Sequence, residues 1–358
     1  MTPPARIAGR QPEQVMAAMQ KWKSSAALAV VLAAGGCGGG DGGGSGSGAV
    51  PIVTAPSPTP LPSPTPTPLP TPTPSTWGGA AAALYDVQPD AASCRAGTLK
   101  TTVKADFLAK LNAIRALHQL PAVTYSDVED AQEADSSLMM AVNKQLSHTP
   151  PTSWTCYTST GAAAAGASNL IGGWGTGLGF SSEDDYLGLW LTEGGSASIG
   201  HRRWILDPFL GKTSYGRVAL VLPDGSRASA ASMRVFNFAA DVPVPTNLPA
   251  FVAYPFGDYP ARYASVSGYL SFGVVAGTTN AFGANAKVSF AGATITVTGP
   301  SGALAVSDVS SDNDGYGLAN NVQWRVAGLQ TGTAYTVRIS GVTGAAQSAY
   351  SYSFRIVS

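Results

Sequence analysis

Charge is scarce in this sequence. Asp, Glu, Lys and Arg make up 12% of 358 residues, and 21 acidic residues cancel 21 basic ones. A soluble protein usually carries about 25% charged residues. A chain without a net field does not draw in polyanions, which excludes a general DNA- or RNA-binding protein, so no nucleic-acid partner is expected. Cysteine is nearly missing, with three residues, and so is histidine, again with three. No apolar run approaches the roughly 20 residues of a membrane-spanning helix, which excludes a polytopic membrane protein. What is plentiful is glycine, at 42, and proline, at 26. That excess predicts linkers and a turn-rich β region.

The first 37 residues read as an export signal. Lys21 and Lys23 precede an apolar stretch from Ala26 to Ala34, followed by Gly35, Gly36 and Cys37. A basic region, a short apolar core and small residues before a cleavage point define a secretory signal. Ala34-Gly35-Gly36-Cys37 resembles a bacterial lipobox, which implies acylation of the Cys37 thiol and a membrane partner through an N-terminal lipid anchor. The usual leucine three residues before the cysteine is replaced here by Ala34. Gly38 follows, not Asp, which by the same resemblance points to the outer membrane or cell surface of a Gram-negative bacterium. Periplasmic or secreted localisation is the alternative. Residues 38–76 form a linker, Gly/Ser-rich and then Pro/Thr-rich, whose prolines favour extended polyproline II. Once Cys37 is set aside, Cys94 and Cys156 remain, and an oxidising compartment predicts a disulfide between them.

Residues 90–240 carry helical signals. Phe107, Leu108, Leu111, Ile114, Ala116 and Leu117 fall near one stripe of a helix over 106–118. A second helix, capped by Ser126 or Asp127 and running to about Gln145, would turn Val128, Ala131, Ala134, Leu138, Ala141 and Val142 inward. A Gly/Ala-rich loop is expected over 161–179. Ser182 can cap a third helix with an acidic first turn. Strands are expected over 216–222 and 233–238. His118 reads as an exposed residue at a helix end, and Asn112 and Arg115 as braces of the first helix.

Leu111-Asn112-Ala113-Ile114-Arg115, Leu120-Pro121, Leu146-Ser147-His148-Thr149-Pro150 and Gly200-His201-Arg202-Arg203-Trp204-Ile205-Leu206 stand in that order. Together they resemble the CAP superfamily, the cysteine-rich secretory, antigen 5 and pathogenesis-related proteins with the SCP domain. The resemblance implies an α-β-α sandwich with a shallow cleft of two histidines and two acids. It carries the histidines onto His148 and His201 and one acid onto Glu193, three residues after Trp190. The other acid normally stands in a Gly-Glu-Asn motif. This chain has Ala167-Ser168-Asn169 there, so a neutral hydroxyl replaces a carboxylate. Ser168, Asn169 and Arg202 complete the expected cleft. His148, His201 and Glu193 are the candidate ligands for Zn2+ or another divalent cation. Ser168 lacks the Gly-x-Ser-x-Gly elbow of a nucleophile.

Residues 245–358 lose helical periodicity and gain short alternating strands. Tyr335, Val337 and Ile339 share one face, as do Tyr350, Tyr352, Phe354 and Ile356, and Trp324 is a candidate core residue. An immunoglobulin-like β-sandwich is expected, giving an α+β chain overall: an α-β-α sandwich followed by an all-β domain. Tyr254 to Gly257 are placed to pack the domains together. Asp312-Asn313-Asp314-Gly315 lacks the distal acid of a calcium loop and reads as a turn. The leading expectation is a ligand-binding or scaffold role at the cell envelope, with a lipid, sterol or glycan as ligand. The alternatives are a hydrolase using His148, Glu193 and His201, and adhesion through the C-terminal domain.

Overall fold

A computed structural model describes residues 76–194, 198–236 and 244–358. The export signal, Cys37, the linker up to residue 75 and Phe238 lie outside the described residues. Among the described residues no helix is long and apolar enough to cross a membrane.

The elements follow in chain order. A short helix α1 (Trp77–Ala82) is capped by the Thr76 side chain. The strands β1 (Tyr85–Val87) and β2 (Thr98–Leu99) pair antiparallel. Helix α2 (Thr101–Leu117) begins five residues before the expected start and buries Phe107, Leu111, Ile114 and Arg115. After β3 (Thr124–Tyr125) come α3 (Asp130–Asn143), α4 (Ser159–Ala165), β4 (Ser168–Gly175), α5 (Glu183–Thr192) and α6 (Gly200–Ile205). Then follow β5 (Lys212–Thr213), which pairs parallel with β3, β6 (Tyr215–Val221) and β7 (Arg227–Arg234). The antiparallel sheet has the order β4-β7-β6.

Neighbouring residues on these strands point to opposite faces. Leu170, Val218, Ala228 and Ala230 pack with Leu138, Met140 and Ala141 of α3 and Ala165 of α4. Ile171, Ala231 and Met233 pack with Phe107 and Leu111 of α2 and Trp190 of α5. Helices therefore cover both faces of the sheet.

Two expectations for this region need correction. The segment 161–179 is not a loop, because most of α4 and the full length of β4 fall within it. Helix α3 is also rotated from its expected phase. Val128 stands outside the helix and is exposed, while Glu133, Ser136 and Ser137 are buried. The cause is the close approach of α3 to the sheet. A Cβ on Gly216 would lie 2.2 Å from the Glu133 carbonyl carbon, so the helix rests its backbone directly on β6. Ser137 fits that contact and donates to the Gly216 carbonyl at 3.0 Å.

The C-terminal region is built from β8 (Phe251–Tyr254), β9 (Gly257–Pro260), β10 (Leu270–Val274), β11 (Thr294–Gly299), β12 (Gly302–Leu304), β13 (Val306–Asp312), β14 (Asn321–Val326), β15 (Ala334–Ser340) and β16 (Ala349–Val357). They form two sheets, ordered β13-β14-β10-β8 and β12-β11-β15-β16-β9. Phe272 of the first stacks on Tyr352 of the second, with ring centroids 6.0 Å apart, so the sheets face each other across an aromatic core. Trp324 is fully buried there.

The two regions do not merely abut. One continuous apolar cluster runs from Phe107 and Trp190 through Tyr254 and Tyr259 to Phe272 and Trp324. His118 corrects its expected exposed position. It is buried at the end of α2, with Nδ1 2.8 Å from the Ala253 carbonyl and Nε2 3.0 Å from the Tyr259 hydroxyl. A neutral ring that donates from Nδ1 and accepts at Nε2 satisfies both partners. Burial accordingly pushes its pKa down to about 3.

Candidate functional site

The site is assembled where α5 ends and α6 begins. Ser182 caps α5 through a reciprocal capping box with Asp185. The helix closes at Glu193, whose left-handed backbone (φ 51°) ends the helical run. The Glu193 carboxylate is nearly buried and both its oxygens are engaged. Oε2 accepts from His201 Nδ1 at 2.9 Å, and Oε1 accepts from the Arg202 backbone N–H at 3.1 Å. On the other side, Asn169 of β4 donates to the His201 carbonyl at 3.0 Å. His201 is thus held by the sheet and by the end of α5. With Nδ1 donating to the carboxylate, the neutral ring keeps its lone pair on Nε2. The ring retains 13% exposure.

His148 is anchored elsewhere. Its Nδ1 lies 2.7 Å from the Ala165 carbonyl, the last residue of α4. Ser168, where the motif has its acid, is completely buried on the α3 face of the sheet and donates to Glu133 Oε2 at 2.8 Å. Ser232 donates to the same oxygen, and Arg234 Nη1 stands 3.5 Å from Oε1. Desolvation outweighs these partners and pushes the Glu133 carboxyl up to about 7. Sequence reasoning missed Glu133. The available signal was an acid seven residues before Met140 along the same helix, a face that the aliphatic pattern had placed outward.

Arg202 requires a correction. It does not face the cleft: its guanidinium is buried, donating to the Leu191 carbonyl at 2.6 Å and the Tyr269 carbonyl at 2.8 Å. It lies 3.7 Å above the Tyr254 ring. It therefore joins α6 to the β region. Arg203, whose side chain is also largely buried, donates to both Asp312 oxygens at 2.8 and 3.0 Å. Asn112 and Arg115 brace the chain after α2, Asn112 through Val123 and Arg115 through the Pro121, Ile205 and Asp207 carbonyls.

The donor set does not fit a resident zinc ion. Among the described residues no three His, Cys, Asp or Glu side chains lie together as a metal-ligand group. His148, His201 and Glu193 therefore do not form the three-ligand site expected of them. Ser168 is committed to Glu133 and brings no charge. The disulfide between Cys94 and Cys156 is present and fastens the segment before α2 to the loop before α4.

Residues 108–218, about a third of the sequence, match the family model of the cysteine-rich secretory protein family, CAP. This segment is a CAP domain. It runs from Leu108 in α2 to Val218 in β6 and contains His148, Ser168, Glu193 and His201. No curated protein matches the chain.

Proposed function

We propose that this is an exported CAP-domain protein, acylated at Cys37 and held at the cell envelope, that binds a ligand without turning it over. The observation that supports binding over hydrolysis is the state of the Glu193–His201 pair. Both carboxylate oxygens are occupied by groups of α6, so Glu193 fixes the helix as well as the ring. A hydrolase would need a nucleophile or an activated water beside His201 Nε2. The one hydroxyl that the family motif places nearby, on Ser168, is buried and bound to Glu133. Export and anchoring rest on the lipobox-like Ala34-Gly35-Gly36-Cys37 and the Pro-rich linker.

The test pairs two measurements on the full chain. Peptide and ester substrate panels are expected to show no turnover above that of His201→Ala. Calorimetric zinc titration at neutral pH is expected to show no stoichiometric site. Turnover abolished by His201→Ala with the fold intact would replace binding by catalysis. Palmitate labelling in a Gram-negative host is expected to be lost in Cys37→Ser, and equal labelling of that variant would remove the anchor.

A further inference from the structure

The end of α5 is also one wall of an open groove of about 710 Å³. The opposite wall belongs to the β region: the segment after the 3-10 turn Ala261–Tyr263, and the end of β14. That volume falls in the range of small-ligand sites, which favour domain junctions. Its chemistry is asymmetric. On the CAP side stand Thr192, Glu193 and Gly194, with the Glu193 carboxylate already engaged by His201 and Arg202. Ser265, Ser267 and Thr331 are among the lining residues, and the Ser265 and Ser267 hydroxyls lie 3.0 Å apart. On the β side the Arg325 guanidinium lies 4.4 Å over the Tyr269 ring. A guanidinium beside a ring keeps its N–H donors for a carboxylate, which it can take as a fork. Asp308 is the nearest acid, 3.8 Å from Arg325 Nε. That separation exceeds a hydrogen bond and both groups are well exposed, so the contact leaves the fork available.

The geometry points to this groove as a binding site for a carboxylate-bearing saccharide, with Arg325 taking the carboxylate, Tyr269 offering a ring surface, and Ser265, Ser267 and Thr331 taking sugar hydroxyls. An anion alone would leave the serine and threonine lining unused. A neutral saccharide would not use Arg325. The inference rests on the binding reading above but is tested at different residues, so either can fail alone.

The probes are trigalacturonate and, as neutral control, maltotriose, titrated into the full chain by calorimetry at pH 7 and low salt. Trigalacturonate is expected to bind saturably and more tightly than maltotriose. Arg325→Gln, an exposed position, is expected to weaken trigalacturonate binding by about tenfold or more and to leave maltotriose unchanged. Arg338→Gln, on an exposed face of β15, should change neither. Trigalacturonate binding that is absent, no tighter than maltotriose, or equal in Arg325→Gln and the unaltered chain would overturn the proposal. Thermal melts of both variants confirm that a lost signal is not lost fold.

Discussion

A carboxyl buried between two serine hydroxyls resists ionisation, and for Glu133 desolvation raises the pKa to about 7. A folded pKa above the unfolded one means that the native state keeps its proton where the unfolded chain has released it. The contribution is full below the ordinary glutamate range and is lost as pH rises to about 7, a swing of roughly 3 kcal/mol. Asp207, pushed up to about 6 by burial, adds a slope of the same sign at lower pH. His118 opposes them. Its depressed folded pKa means that stability is lost as pH falls below about 6.5, where the unfolded ring takes up a proton. Glu133→Gln isolates the first effect, because the others are common to both proteins. Urea unfolding from pH 4.5 to 8 should show the variant gaining on the unaltered chain as pH rises. Parallel stability curves would mean that Glu133 is not the titrating group.

At the scale of the element, Gly216 is the position with least room. Gly216→Ala drives a methyl into the backbone of α3, and the helix must lift from β6. A loss of about 3 kcal/mol or more is expected, read as a fall in the urea midpoint. A loss below about 1 kcal/mol would show that α3 can shift freely. The same contact explains what was legible in the sequence. Helices α2 and α5 were legible because each carries a local signal, the Phe107-Leu111-Ile114 stripe and the Ser182 cap. The phase of α3 was not, because its buried face mixes Glu133, Ser136 and Ser137 with Leu138, Met139, Met140 and Ala141, and the close approach of α3 to Gly216 across from it cannot be read from the helix's own residues. Helix α4 and strand β4 hid within Gly and Ala, which carry no periodicity. At the site, Glu193 and His201 could be named from motif spacing. The roles of Ser168 and Arg202 could not, since each is set by partners far along the chain, Glu133 and Tyr269.

The continuous apolar cluster from Phe107 to Trp324 couples the two regions, so the folded part is expected to unfold as one cooperative body. Calorimetry of the full chain should give a single main transition for the folded part, and two resolved transitions would separate the regions. Arg202 is the sharpest probe of that union. Arg202→Ala leaves the Leu191 and Tyr269 carbonyls without their donor and removes the cover of Tyr254, a cost of about 3 kcal/mol or more. A melt shifted by less than a degree or two would mean that the regions are joined by packing alone. In either case the β region cannot be treated as cargo on the CAP domain, because it supplies acceptors for an arginine adjacent to His201.

The disulfide gives the chain a second route between its ends. Cys94 and Cys156 are 62 residues apart in sequence but covalently joined. A pull applied at Thr76 and resisted at Ser358 travels along the backbone to Cys94, crosses the sulfurs and resumes at Cys156. The span between them, with α2, α3 and His148, carries no tension on that path. Under such a pull the load is borne by the sheet and the β region, and the covalent path bypasses the intervening helices.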